Sequence, residues 1–330
     1  MASLWKRLTS RIVGWFRREP APGRFESGSA FSLRGWVSIA PTVWPSRDYL
    51  VYVPKGRSAW KRAPLVVLCH GCKQTAEDIA RSSRITEVAD REGFVVLLPQ
   101  QKDAANAWRC WNWFEHRTAA GDGETAIVAA QIRAVRRAYR IDRSRVVAAG
   151  LSAGGVLAAT LGMRYPDLVR AVAVHSGLAC GAARSPMSAM AVLRDGPDTD
   201  VVEIARKARG TRDVRVPIVA IHGTDDPIVA PRNAIALMQQ YLALNGRDLP
   251  AGGDAQALPP PDTERRIEVA PGRSMTVREW RRDGRAVARL VEVAGLGHAW
   301  SGGDPSAPFT DAAPPSASDL IAGLFPDGLS

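Results

Sequence analysis

A strand and a helix follow one another almost without a loop between residues 145 and 165. The run "RVVAAGL" (145–151) predicts a buried strand, and "GGVLAATLGMRY" (154–165) predicts the helix that comes next. Ser152 lies between them, flanked by Gly150 and Gly154. A strand-to-helix turn this tight is typical of α/β proteins, so it restricts the fold more than any other feature of the chain.

Apolar runs and helical patterns continue to alternate along the rest of the chain. Strands are predicted at 49–54, 63–71, 93–100, 145–151, 169–177, 216–223 and 286–293. Helices are predicted at 122–140, 154–165, 231–245 and 317–325. This alternation indicates an α/β fold with a mostly parallel central sheet covered by helices on both faces.

The composition shows no break that would divide the chain into two domains. We therefore predict a basic N-terminal extension over residues 1–25 and a single catalytic domain over 26–330. Two stretches fit neither pattern. Residues 178–212 are predicted as a helical cap or long loop, and the Pro/Gly-rich 246–263 as a flexible loop.

The net charge of +11 is concentrated in two segments. Residues 1–24 carry five of these charges, and the arginine-rich 264–289 carries four. Neither segment contains a nucleic-acid-binding motif, so no nucleic-acid partner is predicted.

The basic N-terminus is predicted to form an amphipathic helix over residues 1–19. Its apolar side consists of Leu4, Trp5, Leu8, Ile12, Trp15 and Phe16. Arginines interrupt the apolar run, so it does not predict a signal peptide. The helix is suited to contact a membrane or a granule surface, and the alternative is that it docks on its own domain.

The four cysteines do not form a metal-binding or redox pattern. Cys69 and Cys72 have the C-x-x-C spacing, but no second pair follows, and Cys69 lies within a predicted buried strand. Neither a zinc site nor thioredoxin-like chemistry is predicted.

Ser152 is the candidate nucleophile. The sequence "GLSAG" (150–154) fits Gly-x-Ser-x-Gly, with a strand before it and a helix after it. Flanking glycines allow a turn tight enough to expose the serine oxygen. The alternative, an ordinary turn serine, is the usual reading of the pentapeptide outside this context.

A serine nucleophile needs a base and an acid, which follow it along the chain in this fold. His298, in the glycine-rich loop "GLGHAWSGG" after the last strand, is the candidate base. Asp226 is the candidate acid, with Asp225 as the alternative. The remaining histidines, His70, His116, His175 and His222, are predicted to be structural.

The oxyanion hole needs two backbone N–H groups. Ala153, directly after the serine, is predicted to supply one. The loop "CHGCKQ" (69–74) is predicted to supply the other, from Cys72.

With these residues placed, the chain resembles the poly(3-hydroxybutyrate) depolymerase family of esterases, within the α/β-hydrolase superfamily. The resemblance is carried by "LCHGCKQTAEDIA", "FVVLLPQQ", "CWNWF", "RVVAAGLSAGG", "YPDLVRAVAVHSGLACG", "HGTDDPIV" and "GLGHAWSGG". It implies cleavage of carboxylic esters through an acyl-enzyme, without a metal or a cofactor. The expected substrates are hydroxybutyrate polymers or oligomers, and the alternatives are feruloyl, acetylxylan or other short-chain esters.

The resemblance also implies roles for cysteines and tryptophans. Cys72 and Cys110 are expected to form a disulfide that braces the oxyanion loop. Trp111, Trp113 and Trp300 are expected to line an apolar substrate cleft, and the alternative is that they are core residues. Members of the family are often extracellular. Because this N-terminus does not predict an export signal, a cytoplasmic or particle-associated location is the alternative.

Two further classes of function remain open from the sequence. One is an acyltransferase on the same fold. The other is a non-catalytic protein that coats granules through residues 1–19.

Overall fold

The computed structural model describes residues 22–247, 249 and 257–325. The amphipathic segment predicted at 1–19 lies outside these residues, as do 248 and 250–256 of the predicted loop 246–263. Within the described part, no helix is long and apolar enough to cross a membrane.

A ten-stranded sheet forms the centre of the described chain. Its strands are β1 (Arg24–Phe31), β2 (Ser46–Val53), β3 (Ala63–Cys69), β4 (Val95–Pro99), β5 (Ile141–Leu151), β6 (Ala171–His175), β7 (Ile218–Gly223), β8 (Thr263–Ala270), β9 (Arg273–Arg282) and β10 (Arg285–Val293). The spatial order is β1-β2-β4-β3-β5-β6-β7-β10-β9-β8. The six strands from β4 to β10 in this order are parallel, and two antiparallel strands extend the sheet at each edge.

Helices cover both faces of this sheet. They are α1 (Ala76–Ser83), α2 (Ile85–Glu92), α3 (His116–Ala119), α4 (Gly123–Ala138), α5 (Ala153–Arg164), α6 (Pro186–Asp195), α7 (Val201–Arg209), α8 (Arg232–Leu244) and α9 (Ala317–Ala322). Two short strands, β11 (Trp300–Ser301) and β12 (Thr310–Asp311), pair outside the main sheet. The α/β fold predicted from the alternation of elements is confirmed.

The core lies in two layers, one on each face of the sheet. Residues of α4, α5 and α8 pack on one face, and residues of α1, α2 and α9 pack on the other. Strand β3 lies between the layers, and its residues 65–68 have no exposed surface. Burying a Val or Leu side chain stabilises the fold by about 1.5–3 kcal/mol. The buried central strands therefore form a stable base for the loops that follow β3, β5, β7 and β10 at one edge of the sheet.

The arginine-rich segment forms strands that the sequence did not predict. Residues 263–282 form β8 and β9, which extend the sheet beyond β10. Their charges are partly neutralised by pairs across the strands, such as Glu279 with Arg289 at 2.6 Å and Arg278 with Glu292 at 2.5 Å. Charged side chains on both faces hide the two-residue apolar period that would reveal a strand. At the other end, β1 begins at Arg24, so the predicted extension boundary at residue 25 falls inside a strand.

The segment 178–212 contains α6 and α7, which pack against α8. Asn233 of α8 donates its side-chain amide to the carbonyl of Val192 at 2.9 Å. Gln240, also on α8, donates to the carbonyl of Val201 in α7 at 3.2 Å. These contacts hold α6 and α7 against α8.

Candidate active site

Ser152 occupies a strained turn between β5 and α5. Its backbone has φ 56° and ψ −123°, in the region that side-chain-bearing residues rarely adopt. The N–H of Ser152 donates to the carbonyl of His175 at 2.9 Å, which fixes the turn to β6. A Cβ at Gly150 would collide with the backbone of Gly154, and one at Gly154 with the carbonyl of Cys69. The two glycines are therefore required by close packing.

Asp226 and His298 form a hydrogen-bonded pair at the same edge of the sheet. Asp226 follows β7 and His298 follows β10, and these strands are parallel neighbours. His298 donates its Nδ1–H to Oδ2 of Asp226 at 2.8 Å. The other carboxylate oxygen accepts the N–H groups of Ile228 and Val229, each at 2.9 Å. This geometry holds His298 with Nε2 available to a reacting group.

The environment keeps Asp226 ionised. Its side chain has no exposed surface, and burial alone would raise the pKa of its carboxyl. The hydrogen bond and charge of His298, with the N–H groups of Val229 and Ile228, outweigh burial and lower the pKa to about 2. An ionised acid is the form that orients and stabilises a histidine as it takes up a proton.

Asp225 lies in a different environment from Asp226. It is exposed, and its carboxylate accepts a hydrogen bond from the hydroxyl of Thr224 at 2.7 Å. Of the two candidate acids, the structure brings Asp226 to the histidine.

His175 connects the serine turn to the segment after His298. Its carbonyl holds the N–H of Ser152, and its Nε2 accepts the N–H of Ser301 at 3.2 Å. The ring also stacks on Trp300, with 5.3 Å between ring centroids. The elements that carry Ser152 and His298 are thereby joined through one buried residue, and burial lowers the pKa of His175 to about 3, so its ring is neutral.

The remaining histidines make no hydrogen bond to this pair in the described structure, although Nε2 of His222 lies 3.6 Å from Oδ2 of Asp226. His70 and His222 are buried, and burial lowers the pKa of each, to about 4 for His70. The Nε2 of His70 accepts the N–H of Gln101 at 3.2 Å, so its Nδ1–H donates to the carbonyl of Gly71 at 2.8 Å. His116 is exposed at the start of α3.

The loop after β3 passes directly over the serine turn. A Cβ at Gly71 would lie 3.4 Å from the carbonyl oxygen of Leu151. The N–H of Gly71 donates to Oε1 of the buried Gln74 at 2.9 Å, which closes the loop on itself. In the part of the chain that the structure describes, the backbone N–H groups of Cys72 and Ala153 donate to no protein acceptor. The N–H groups of both predicted oxyanion donors are thus unpaired, that of Ala153 at the start of α5 and that of Cys72 in the loop after β3.

A disulfide between Cys72 and Cys110 joins this loop to the segment before α3, as the resemblance implied. Trp111, next to Cys110, donates its indole N–H to the carbonyl of His70 at 3.0 Å. The segment 110–112 therefore holds the loop after β3 by a covalent bond and by a hydrogen bond.

The segment 110–112 is itself held by a buried ion pair that the sequence did not reveal. Arg47 and Glu124, 1% and 0% exposed, lie 3.1 Å apart. Glu124 also accepts hydrogen bonds from the side chain of Gln101 at 2.6 Å and from the N–H of Asn112 at 2.7 Å. The signals were an arginine at the start of an apolar strand and an acid in the first turn of α4, but neither residue type alone indicates burial.

The three tryptophans expected to line a substrate cleft are buried. Trp111, Trp113 and Trp300 are 0%, 6% and 1% exposed and lie in the two core layers. This placement favours the alternative from the sequence, in which they are core residues.

The described residues contain no cluster of three or more His, Cys, Asp or Glu side chains able to hold a metal ion.

The parallel sheet, the serine turn after β5 and the hydrogen-bonded Asp226 and His298 after β7 and β10 are the arrangement typical of the α/β-hydrolase class. The chain belongs to the family described as Esterase PHB depolymerase, whose sequence profile matches residues 47–269. It is thus a member of a family of enzymes that act on carboxylic ester bonds.

Relatives and solved structures agree with this class. Poly(3-hydroxyalkanoate) depolymerase C of Paucimonas lemoignei is 32% identical over 202 residues, which cover 60% of this chain and 48% of the depolymerase. Feruloyl esterase B of Thermothelomyces thermophilus is 27% identical over 60% of this chain and 70% of that protein. The match thus spans about half the length of the depolymerase. An acetyl xylan esterase structure from Aspergillus awamori has the same fold, with a TM-score of 0.63 at 21% identity over 83% of this chain and 94% of that one.

Proposed function

We propose that this protein is a serine esterase that cleaves carboxylic esters through an acyl-enzyme. Ser152 is the nucleophile, His298 the general base and acid, and Asp226 the residue that orients His298. The observation that carries the proposal is the 2.8 Å hydrogen bond between Asp226 and His298, on loops at the same edge of the sheet as the strained turn of Ser152. A buried, ionised acid that holds a histidine within reach of a serine is the arrangement that activates a hydroxyl group.

The reaction proceeds in two halves. Ser152 Oγ attacks the ester carbonyl carbon while its proton passes to Nε2 of His298. The tetrahedral intermediate collapses, the bond to the alcohol oxygen breaks, and His298 returns the proton to the departing alcohol. Water then attacks the acyl-enzyme by the same route and releases the carboxylic acid, which restores Ser152.

The negative charge of each intermediate falls on the former carbonyl oxygen. The N–H groups of Cys72 and Ala153 are the proposed donors to it. Ala153 directly follows Ser152, Cys72 lies in the loop whose Gly71 is next to Leu151, and neither N–H is used by a protein acceptor among the described residues. Removing one such donor costs about 100- to 1000-fold in kcat in comparable sites.

The proposed substrates are esters of polyhydroxyalkanoates, as polymer or oligomer. This is supported by the 32% identity to the Paucimonas depolymerase. A feruloyl or acetylxylan ester is the second candidate, because relatives named for those activities are 25–30% identical to this chain over 133–208 residues. A panel of hydroxybutyrate oligomers, polymer film, methyl ferulate and acetylated xylan, compared by kcat/KM, distinguishes the two.

The esterase proposal itself is tested with a fluorophosphonate probe and with p-nitrophenyl butyrate. We expect the probe to label the wild-type protein at Ser152 and Ser152→Ala to lose both labelling and turnover while keeping its circular dichroism spectrum. Unlabelled wild-type protein would favour a granule-binding role instead. Transfer to added alcohols that outruns hydrolysis would favour an acyltransferase.

A further inference from the structure

His222 is a buried histidine that the proposed reaction does not use. It lies on β7, four residues before Asp226, and is 2% exposed. Burial lowers the pKa of His222, so its ring is neutral and carries a single N–H. Burying that N–H is unfavourable unless it finds an acceptor, so its partner shows what the ring does.

The single N–H of His222 is at Nε2. This nitrogen lies 2.8 Å from the carbonyl oxygen of Val229. A carbonyl oxygen only accepts hydrogen bonds, so Nε2 is the donor and Nδ1 carries no proton. The same Nε2 lies 3.6 Å from Oδ2 of Asp226, which is too far for a hydrogen bond. His222 therefore holds the backbone beside the acid and leaves Oδ2 to His298.

The peptide groups of Val229 connect His222 to Asp226. The carbonyl of Val229 accepts from the ring, and its N–H donates to Oδ1 of Asp226 at 2.9 Å. The N–H of Ile228 donates to the same oxygen at 2.9 Å. With Oδ1 held by these two groups, Oδ2 faces Nδ1 of His298 at 2.8 Å. The direction of the carboxylate thus depends on the shape of the turn 226–229.

The loop between β7 and α8 has other hydrogen bonds only towards its ends. At its start, the N–H of Asp225 donates to the segment after β10, and at its end, the N–H of Ala230 donates to the last turn of α6. Among the described residues, the ring of His222 is the one side chain that donates to the backbone of residues 226–229. This bond ties the middle of the loop to β7.

We propose that His222 is a positioning residue, which fixes the peptide of Val229 so that Asp226 keeps Oδ2 directed at His298. The inference rests on the proposed esterase function. Without this bond the turn relaxes, the carboxylate rotates, and the Nδ1–H of His298 loses its fixed acceptor. A displacement of 1 Å in such an arrangement costs up to about 100-fold in rate.

The test compares His222→Gln with His222→Asn on p-nitrophenyl butyrate. The side-chain amide nitrogen of glutamine reaches about as far as Nε2 of histidine, whereas that of asparagine reaches only as far as Nδ1. We expect His222→Asn to lower kcat about 10- to 100-fold with KM within about 2-fold of wild type, because the bond acts on the acid and not on the substrate. His222→Gln should recover kcat to within about 5-fold of wild type.

Asn245→Leu is the matched control at the other end of β7. Asn245 is fully buried, and its side chain accepts the N–H of Val216 at 2.8 Å and donates to the carbonyl of Val216 at 2.9 Å. The change deletes side-chain bonds to the backbone before β7 begins at Ile218. It should lower stability in urea and leave kcat within about 2-fold of wild type.

Proton NMR reports the positioning directly. The Nδ1–H of His298 should give a downfield resonance that is identified by its loss in Asp226→Asn. We expect this resonance to shift or broaden in His222→Asn, to return in His222→Gln and to stay unchanged in Asn245→Leu. If His222→Asn does not fold, His222→Phe removes the same donor without leaving a polar side chain in the core, and the same results are expected of it.

Three results would overturn the inference. Wild-type kcat in a folded variant without the donor would show that the bond does not position the acid. Equal losses of kcat in His222→Gln and His222→Asn would show that the donor at Nε2 is not the cause. Equal losses in His222→Asn and Asn245→Leu would reduce the effect to stability. If wild-type protein neither turns over ester nor takes up fluorophosphonate, the proposed function fails as well; normal wild-type turnover confines failure to His222.

Discussion

His298 donates its Nδ1–H to Asp226 over 2.8 Å, and the aspartate is fixed at its other oxygen by two peptide N–H groups of its own loop. The acid is thus held from both sides without a contribution from substrate. Two adjacent aspartates of one loop thus have different environments: Asp226 is buried and ionised, whereas Asp225 is exposed.

Asp226→Asn is expected to lower kcat on p-nitrophenyl butyrate by about 1000-fold or more. The amide has nearly the same shape, but it is neutral and does not stabilise a protonated histidine. Asp225→Asn is the matched control and should stay within about 2-fold of wild type, because Asp225 is exposed and bonds Thr224. A larger loss in Asp225→Asn than in Asp226→Asn would reverse the assignment of the acid.

Asp226 also gives a prediction for stability against pH. Its pKa is lowered from 3.8 to about 2 in the folded protein, so its contribution is present above pH 3.8 and is lost as the pH falls towards 2. That contribution is roughly 2 kcal/mol. In urea unfolding experiments, the difference in stability between wild type and Asp226→Asn should therefore shrink between about pH 4 and pH 2. A difference that stays constant over this range would contradict the lowered pKa.

The sequence predicted the fold where burial on both faces makes a strand recognisable. Strands β3 and β5 are examples, because nearly every residue in their central parts is apolar. Strands β8 and β9 were missed because their surfaces carry arginines paired with acids. Those pairs join neighbouring strands, so they depend on the register between strands, which the sequence of one strand does not show.

The candidate site shows the same division. Ser152, His298 and the choice between two aspartates follow from local patterns and chain order. Trp108 and Trp111 are alike in sequence, yet one is 62% exposed and the other fully buried. Which tryptophan faces solvent is decided by the tertiary packing of Cys110 and its neighbours, and the sequence alone does not encode that packing.

The disulfide between Cys72 and Cys110 gives a prediction for both stability and rate. It closes a loop of 38 residues, and its removal in Cys72→Ser/Cys110→Ser should destabilise the protein by about 4 kcal/mol in the chain-entropy model. We expect kcat to fall by about 10-fold, because the proposed oxyanion donor loses its tether. Wild-type protein treated with a phosphine reductant should show the same fall.

Cys180→Ala is the control for that experiment, since Cys180 is a buried free thiol outside the oxyanion loop. Its kcat should remain within about 2-fold of wild type. If the double serine variant retains wild-type kcat while unfolding at lower urea, the disulfide stabilises the fold without positioning the loop.

The buried pair of Arg47 and Glu124 is expected to stabilise both the fold and the segment that is bonded to the loop of Cys72. Glu124→Gln leaves the guanidinium of Arg47 buried without a countercharge, and such a change costs about 3–5 kcal/mol. Glu203→Gln is the control, because its pair with Lys207 on α7 is exposed and should contribute about 0.5 kcal/mol or less.

A double-mutant cycle separates the charge from the packing. If the pair matters through its charge, Arg47→Met together with Glu124→Gln should cost less than the sum of the single changes, because no unpaired charge remains. The free energies come from urea unfolding, and kcat is measured on the same variants. Because Glu124 holds the N–H of Asn112 beside the disulfide, we expect kcat to fall in both Glu124→Gln and the double variant. Strictly additive free energies would show that Arg47 and Glu124 act independently.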